Sequence, residues 1–574
     1  MRYFKVILTA ATIVLALNSC KNGDSDLGKV LEGVKTTKQE NLKELKIAES
    51  SRPISIFPHR ITLATEGMIA GQIFEGLTKI DPNTMKVKPG LAEKWEISPD
   101  GKIITFFLRQ GIFFHNPAAQ SGKANELTAE DVKFTFELLC TEGNNNLHFG
   151  TVCKDRIVGA NEHYENSKKG EKIDLSGVKI IDKYKLSVEL LNSPSIFLEI
   201  LANPVAGIIS RVAYSAEKDN CRIGAGPFML DTAASGKDAF VLIKNPAYYG
   251  KDKNGNPLPY LDKVTVDIVA SPEAAWEGFK AGNYDFVGTL PVNQLKEIVE
   301  QNIASFKGES APYLLQRNVE MMTQYYLFNL NKEPFNKQKV RQAFNYAIDR
   351  DKIIEKVLFG QAYGPALNGI VPPTFDFYKS SEIKGYTFDP EKAKKLLAEA
   401  GYPNGKNFPE IQLLVNSGNS RNNTVAAEIQ KQLQQILNVN VNFESLPNGD
   451  KFLLQTAGQG HMYRDGWVAD YPSPESFLSV FYGAPLDKDT SKISYPNTIK
   501  FVNAEFDMYY EKGRDALDRD TAAAYFMKAE QILVEQAPLI PLYYESNYNL
   551  TSSRLKNFYT NPLRHFDFTE VDVK

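Results

Sequence analysis

Arg464-Asp465-Gly466-Trp467-Val468-Ala469-Asp470-Tyr471-Pro472-Ser473-Pro474 reads as a short extended segment that runs into an acid and stops in a proline-rich turn. Trp467, Val468 and Ala469 form its apolar part, and Asp470 closes it. A segment of this type can offer its backbone as a strand edge to an incoming peptide, and an acid at its end can pair with a free amine. The plain alternative is a core strand ending in a solvated Asp, which composition alone favours. The rest of the chain decides between the two.

The N-terminus has the form of an export signal. Arg2 and Lys5 supply positive charge ahead of an apolar run over 6–17 that is too short to span a bilayer. The run ends in Leu17-Asn18-Ser19-Cys20, which resembles the lipobox of bacterial lipoproteins, although Asn18 is not the commonest residue at its place. Cys20 is therefore the expected lipid-attachment residue and 1–20 the signal peptide, with an ordinary cleaved signal as the alternative. The mature protein is expected to be exported and lipid-anchored to a bacterial membrane, facing the periplasm or the cell exterior. Residues 21–50 are polar, lack a strong core pattern and read as a flexible tether with a short helix around 27–34.

The other residues, about 520 of them, exceed one core and imply two or three lobes. Sixty-six basic against 69 acidic residues give a near-neutral chain, which argues against a nucleic-acid partner. Export permits a disulfide among Cys140, Cys153 and Cys221. Cys140 and Cys153 lie nearest in sequence, but three thiols leave one over, and the pairing stays open.

Strands and helices alternate along the chain, so the class is α/β. Residues 103–108 read as a strand after the turn Ser98-Pro99-Asp100-Gly101. Thr128 is a candidate N-cap with Asp131 at N3, followed by Val132, Phe136 and Leu139 at helical spacing. Gly224 and Gly226 suggest a tight turn with positive φ. Helices are expected over 339–350, with Val340, Phe344, Ala347 and Ile348 on one face, and over 390–400, 424–437 and 521–536. A buried strand is expected over 538–544.

With these blocks in order, the chain resembles the family 5 extracellular solute-binding proteins, the oligopeptide- and dipeptide-binding components of ABC importers. The likeness runs from about residue 53 to 560 and is carried by Ile73-Phe74-Glu75-Gly76-Leu77, residues 89–95 and 98–111, Leu127 to Val132, Gly224 to Phe228, Val340 to Asp349 and Gly466 to Tyr471. One departure lies at His115-Asn116-Pro117 and residues 120–126, where many members carry a short Asp-Gly turn. The resemblance implies a two-lobe periplasmic-binding-protein clamp of class II type with an extra subdomain in the N-terminal lobe. Lobe I would comprise 51–75, 205–310 and 540–574, the extra subdomain 76–204, and lobe II 311–539.

Such clamps close two lobes on an extended peptide, held mainly through its backbone, with its side chains in roomy, hydrated pockets. By that resemblance Asp470 pairs with the ligand's α-amine, the backbone of Gly466, Trp467 and Val468 pairs with the peptide, and Arg464 meets the carboxylate. A solvated surface Arg is the alternative for Arg464. Thr62 and Ala64, just before the helix expected at the Phe74-Glu75-Gly76-Leu77 block, would face the ligand from the other lobe. No cofactor and no metal are expected. The implied partners are a short peptide and an inner-membrane ABC permease, with the protein a monomer at the membrane surface through its lipid anchor. Relatives that carry nickel complexes, haem, oligosaccharides or opines supply the alternative ligands.

A secreted hydrolase is the rival class. The sequence holds no Gly-x-Ser-x-Gly elbow, no His-Glu-x-x-His and no Gly-rich Lys-Ser/Thr phosphate loop. Its six His are scattered, and His461 reads as a packed or polar wall residue, so the chain is not expected to be an enzyme.

Overall fold

Residues 44–49, read above as the end of a flexible tether, instead form strand β1 (Glu44–Glu49). Leu45, Ile47 and Ala48 are buried, and β1 is sandwiched in parallel between Lys263–Ile268 and Phe286–Val287. Local pattern hides this strand because charged residues alternate with its buried ones and its partners lie more than two hundred residues away. The computed structural model describes residues 42–115, 126–143, 146–192, 196–291, 295–301, 311–484, 486, 493–516 and 518–574. The signal peptide, Cys20, the stretch at 27–34 and the loop 116–125 lie outside the described residues. No helix among the described residues is long and apolar enough to cross a membrane.

One 11-stranded sheet runs through residues 43–574. From one edge its order is Val441–Leu446, Ile411–Asn416, β3 (Met462–Val468), β2 (Tyr313–Phe328), β4 (Leu539–Ser552), Phe286–Val287, β1, Lys263–Ile268, Ala239–Lys244 and Phe228–Leu230, with Gly364–Pro365 paired onto β4. The long strands β2 and β4 are antiparallel from Tyr313↔Ser552 to Leu327↔Leu539, with register shifts between Val319 and Thr323 and between Gln324 and Tyr325. Toward the Leu539 end of β4, Ile540, Leu542 and Tyr543 pack with Phe344 and Val415. Toward its Ser552 end Leu550 packs with Trp276 and Phe279. The chain thus passes between two cores within each strand. The boundary expected at 540 falls inside β4, and Ile540, Leu542 and Tyr543 belong with the Phe344 and Val415 core, because one strand serving two cores reads as one buried run.

A separate four-stranded antiparallel sheet, Ala92–Ile97, Ile103–Leu108, Lys185–Glu189 and Val178–Asp182 in that order, lies within 76–204. It shares a core with the helix Ala129–Leu139 through Phe106, Leu186, Val132 and Phe136. The start of that helix is as expected: the Asp131 carboxylate accepts from the Thr128 N–H and hydroxyl, each at 3.1 Å. Val340, Phe344, Ala347 and Ile348 are likewise buried.

Helix α1 (Ala64–Ile73) ends where the expected helical block begins, so Phe74 to Leu77 form the turn after it. Neither Gly224 nor Gly226 has positive φ. They are glycine because the chain runs against the end of α1: a Cβ on Gly224 would lie 1.9 Å from the Ile73 oxygen, and one on Gly226 2.5 Å from the Gln72 oxygen. Cys140, Cys153 and Cys221 are all free and buried. Burial pushes the Cys140 thiol well up, which keeps it protonated and unreactive.

Candidate functional site

Thr62, Ala64, Arg464, Gly466, Trp467, Val468 and Asp470 all border one cavity of about 1250 Å³. Small-ligand pockets typically measure about 300–1,000 Å³, so this space suits a longer or bulkier guest. The cavity brings 62–64 opposite 464–470, as the resemblance implied: the first group lies at the start of α1, and the second lies in β3 and the turn after it.

β3 pairs along one side with β2, from Met322↔Val468 to Phe328↔Met462. On its other side, among the described residues, only Met462 and Tyr463 find partners, Leu413 and Leu414. Among the described residues, 464–468 therefore have no strand partner on the cavity side, although the Gly466 N–H donates to the Asp465 carboxylate at 3.1 Å. Unpaired backbone N–H and C=O groups at such an edge are a template for an added strand.

Asp470 follows β3 in a turn fixed on both sides. Its N–H donates to Ser476 Oγ at 2.9 Å, the Trp467 indole N–H donates to the same oxygen at 3.3 Å, and Asn203 Nδ2 donates to the Asp470 carbonyl at 3.1 Å. The carboxyl group opens onto the cavity yet lies deep in the protein. Burial pushes it up to about 7, opposed only by a hydrogen bond from Asn203. No cation among the described residues offsets that cost, which is the state of a carboxylate whose counter-charge comes from outside. The Trp467 ring stands 6.1 Å from that of Tyr495, which also meets His148 at 5.8 Å and Phe452 at 6.1 Å.

Arg464 is held by neutral groups, donating to Asn416 Oδ1 at 3.1 Å and to Gln324 Oε1. The chain of contacts continues from Gln324 Nε2 to Glu545 at 2.8 Å. Arg421, at the start of α2 (Ser420–Leu437), pairs with Glu545 at 2.9 Å. Arg421 is thus balanced by a carboxylate, whereas no carboxylate among the described residues forms an ion pair with Arg464 beside the strand edge.

Glu66 is the site residue that the sequence reading missed. It is fully buried at N3 of α1, and its carboxylate accepts from the backbone N–H of Ile54 (2.5 Å), Ser55 (2.9 Å), Thr62 (2.7 Å) and Leu63 (3.0 Å). These bonds shape the 54–63 wall and use up the Thr62 and Leu63 N–H groups. Thr62 accordingly borders the cavity with its N–H and hydroxyl turned to Glu66. An acid three residues into a helix was the available signal. His461 stays off the cavity lining; its Nδ1 accepts from the Gln412 N–H at 3.1 Å.

The family model described as bacterial extracellular solute-binding proteins, family 5 Middle, matches residues 86–488. The chain belongs to that family. It is 28% identical over 577 residues to heme-binding protein A of Haemophilus influenzae, covering 99% of each chain. It is 27% identical over 545 residues to the glutathione-binding protein GsiB of Escherichia coli K12, covering 93% of this chain and 95% of that one. Among solved structures, the oligopeptide-binding protein OppAIV of Borrelia burgdorferi superimposes with a TM-score of 0.80 at 26% identity, covering 93% of this chain and 100% of that one. DppA of Helicobacter pylori in complex with the peptide STSA gives 0.78 at 25% identity, covering 92% and 98%. The mixed α/β, two-lobe architecture expected from sequence is therefore that of a substrate-binding, non-enzymatic family serving ABC importers.

Proposed function

We propose that this family 5 protein captures short peptides in extended form and delivers them to a membrane permease. The observation that carries the reading is the Asp470 carboxyl, which no cation among the described residues pairs, at the end of a strand edge that faces a large cavity. Gly466, Trp467 and Val468 would pair with the peptide backbone through that edge, and Asp470 would take the α-amine. Arg464, held by amides only, would take a carboxylate. Thr62 and Ala64 would close the far wall. The peptide and glutathione binders among the relatives support this reading, since glutathione is itself a tripeptide with a free amine. The haem-binding relative favours a second reading, in which the same cavity holds haem.

Native mass spectrometry of protein purified without denaturant separates the two. Bound masses forming a ladder of short peptides are the expected result, because closed clamps retain ligand. One defined haem, metal-complex or sugar mass would overturn the peptide reading.

Anchoring through Cys20 belongs to the same proposal. Cys20→Ser should appear in the soluble fraction with ligand binding unchanged, because the substitution removes only the site of acylation and none of the residues that border the cavity. A Cys20→Ser protein that stays with salt-washed membranes would refute the lipid anchor.

A further inference from the structure

The turn that carries Asp470 does more than border the cavity. Tyr471 comes from the second half of the chain, yet it is buried among the core residues of the first, with Phe74, Phe106 and Val152 in the same cluster. Four residues on, Glu475 forms an ion pair with Arg156 of the 76–204 region, and the two side chains are only 1% and 3% exposed. Tyr510 OH donates to the same carboxylate at 3.2 Å. Asn203, also from the first half, grips the Asp470 carbonyl. Around this contact the neighbours of Arg156 do the same: Lys154 Nζ donates to the Ala484 carbonyl at 3.3 Å, and Asp155 meets Arg514 at 3.6 Å and the Tyr482 hydroxyl at 3.4 Å.

We infer that residues 470–475 are a plug which the second lobe inserts into the first on closure, with Arg156 and Asn203 as positioning residues that hold the ligand-anchoring Asp470 in place. The inference rests on the clamp architecture and not on the ligand being a peptide. Its logic lies in the imperfect pairing. Nε and Nη1 of Arg156 and Oε2 of Glu475 have no hydrogen-bond partner among the described residues. A buried pair of that kind costs nearly as much in desolvation as it returns, so it fixes geometry without holding the lobes shut on its own. A ligand that engages Asp470 pulls the plug's own first residue, and so favours the same closed state by its differential affinity. Ligand capture and lobe closure become one event.

Arg156→Gln leaves Glu475 buried without its partner on closing, and should weaken trialanine binding by about a hundredfold, the effect typical of breaking a buried pair. The double change Arg156→Met with Glu475→Met removes both charges and should recover most of that loss. In ligand-free protein, where the open form solvates both groups, Arg156→Gln should melt within about 2 °C of wild type. Small-angle scattering should show that Arg156→Gln needs more trialanine than wild type to contract. A single variant that binds and contracts like wild type overturns the plug. So does one that lowers the ligand-free melting temperature by as much as the ligand-loaded one, because the contact is then a permanent interface. If wild type contracts with haemin and not with trialanine, the peptide reading fails and the plug is judged with haemin by the same comparison. A wild type that contracts with neither probe removes the closing motion and overturns the plug.

Discussion

Asp470→Asn should weaken binding of a free-amine peptide such as trialanine by about thirty- to several-thousand-fold, which corresponds to the ~2–5 kcal/mol lost when one member of a desolvated charge pair is neutralised. The amide keeps the shape of the carboxylate and its neighbour Asn203, so the backbone contacts of 464–468 stay available. What is lost is the carboxylate that closes the strand edge and that no cation among the described residues pairs. N-acetylated trialanine should already bind poorly to wild type and should lose little more in the variant. Calorimetry on two proteins by two peptide forms gives the coupling between Asp470 and the amine directly. If acetylation weakens binding equally in both proteins, Asp470 is not the amine partner. Arg464→Ala should have a smaller effect confined to peptides whose carboxylate reaches it, because Asn416 and Gln324 remain to bind water in its place.

The features legible in the sequence are those written in local chemistry. The strand and acid of 462–470, the Thr128–Asp131 helix start and the apolar face of Gln338–Ala347 each depend on residues within a few positions of one another. The misread features depend on distant partners. β1 is a strand only because Lys263–Ile268 and Phe286–Val287 flank it, and its own residues 44, 46 and 49 are charged. Gly224 and Gly226 looked like turn glycines, but their requirement is the backbone of α1 pressing on them from more than a hundred residues away. Glu66 gave a local signal as a first-turn acid, yet its role in ordering 54–63 appears only when that loop folds back over it. Arg156 and Glu475 are ordinary charged residues in sequence, and nothing short of the three-dimensional contact joins them.

Binding of trialanine should also be bell-shaped in pH with a narrow optimum between about 7 and 8. In the empty cavity burial raises the Asp470 carboxyl to about 7. The ammonium requires the ionised form, so the dissociation constant should rise about tenfold per pH unit below 7, or roughly a hundredfold at pH 5. The alkaline limb belongs to the peptide, whose α-amine loses its proton near ~8. Asp470→Asn should lose both limbs, because without the carboxylate neither ionisation makes or breaks a charge pair; acetylated trialanine should show neither. The same carboxyl acts in the opposite direction on the stability of the ligand-free fold. Its folded value lies above the unfolded one of about 3.9, so the folded state binds the extra proton. The stabilisation is complete below about pH 4 and is lost as pH rises through 7, leaving wild type about 1–2 kcal/mol less stable at pH 8 than Asp470→Asn once solvent reaching the cavity is allowed for. Denaturant melts of both proteins at pH 4, 6 and 8 read this difference. Two flat, parallel profiles would mean that Asp470 is already paired inside the protein, and the amine site would have to be sought elsewhere on the cavity wall. Divergence above pH 6, together with an acid limb in binding, would mark one group that destabilises the empty clamp because it is kept charged for the guest.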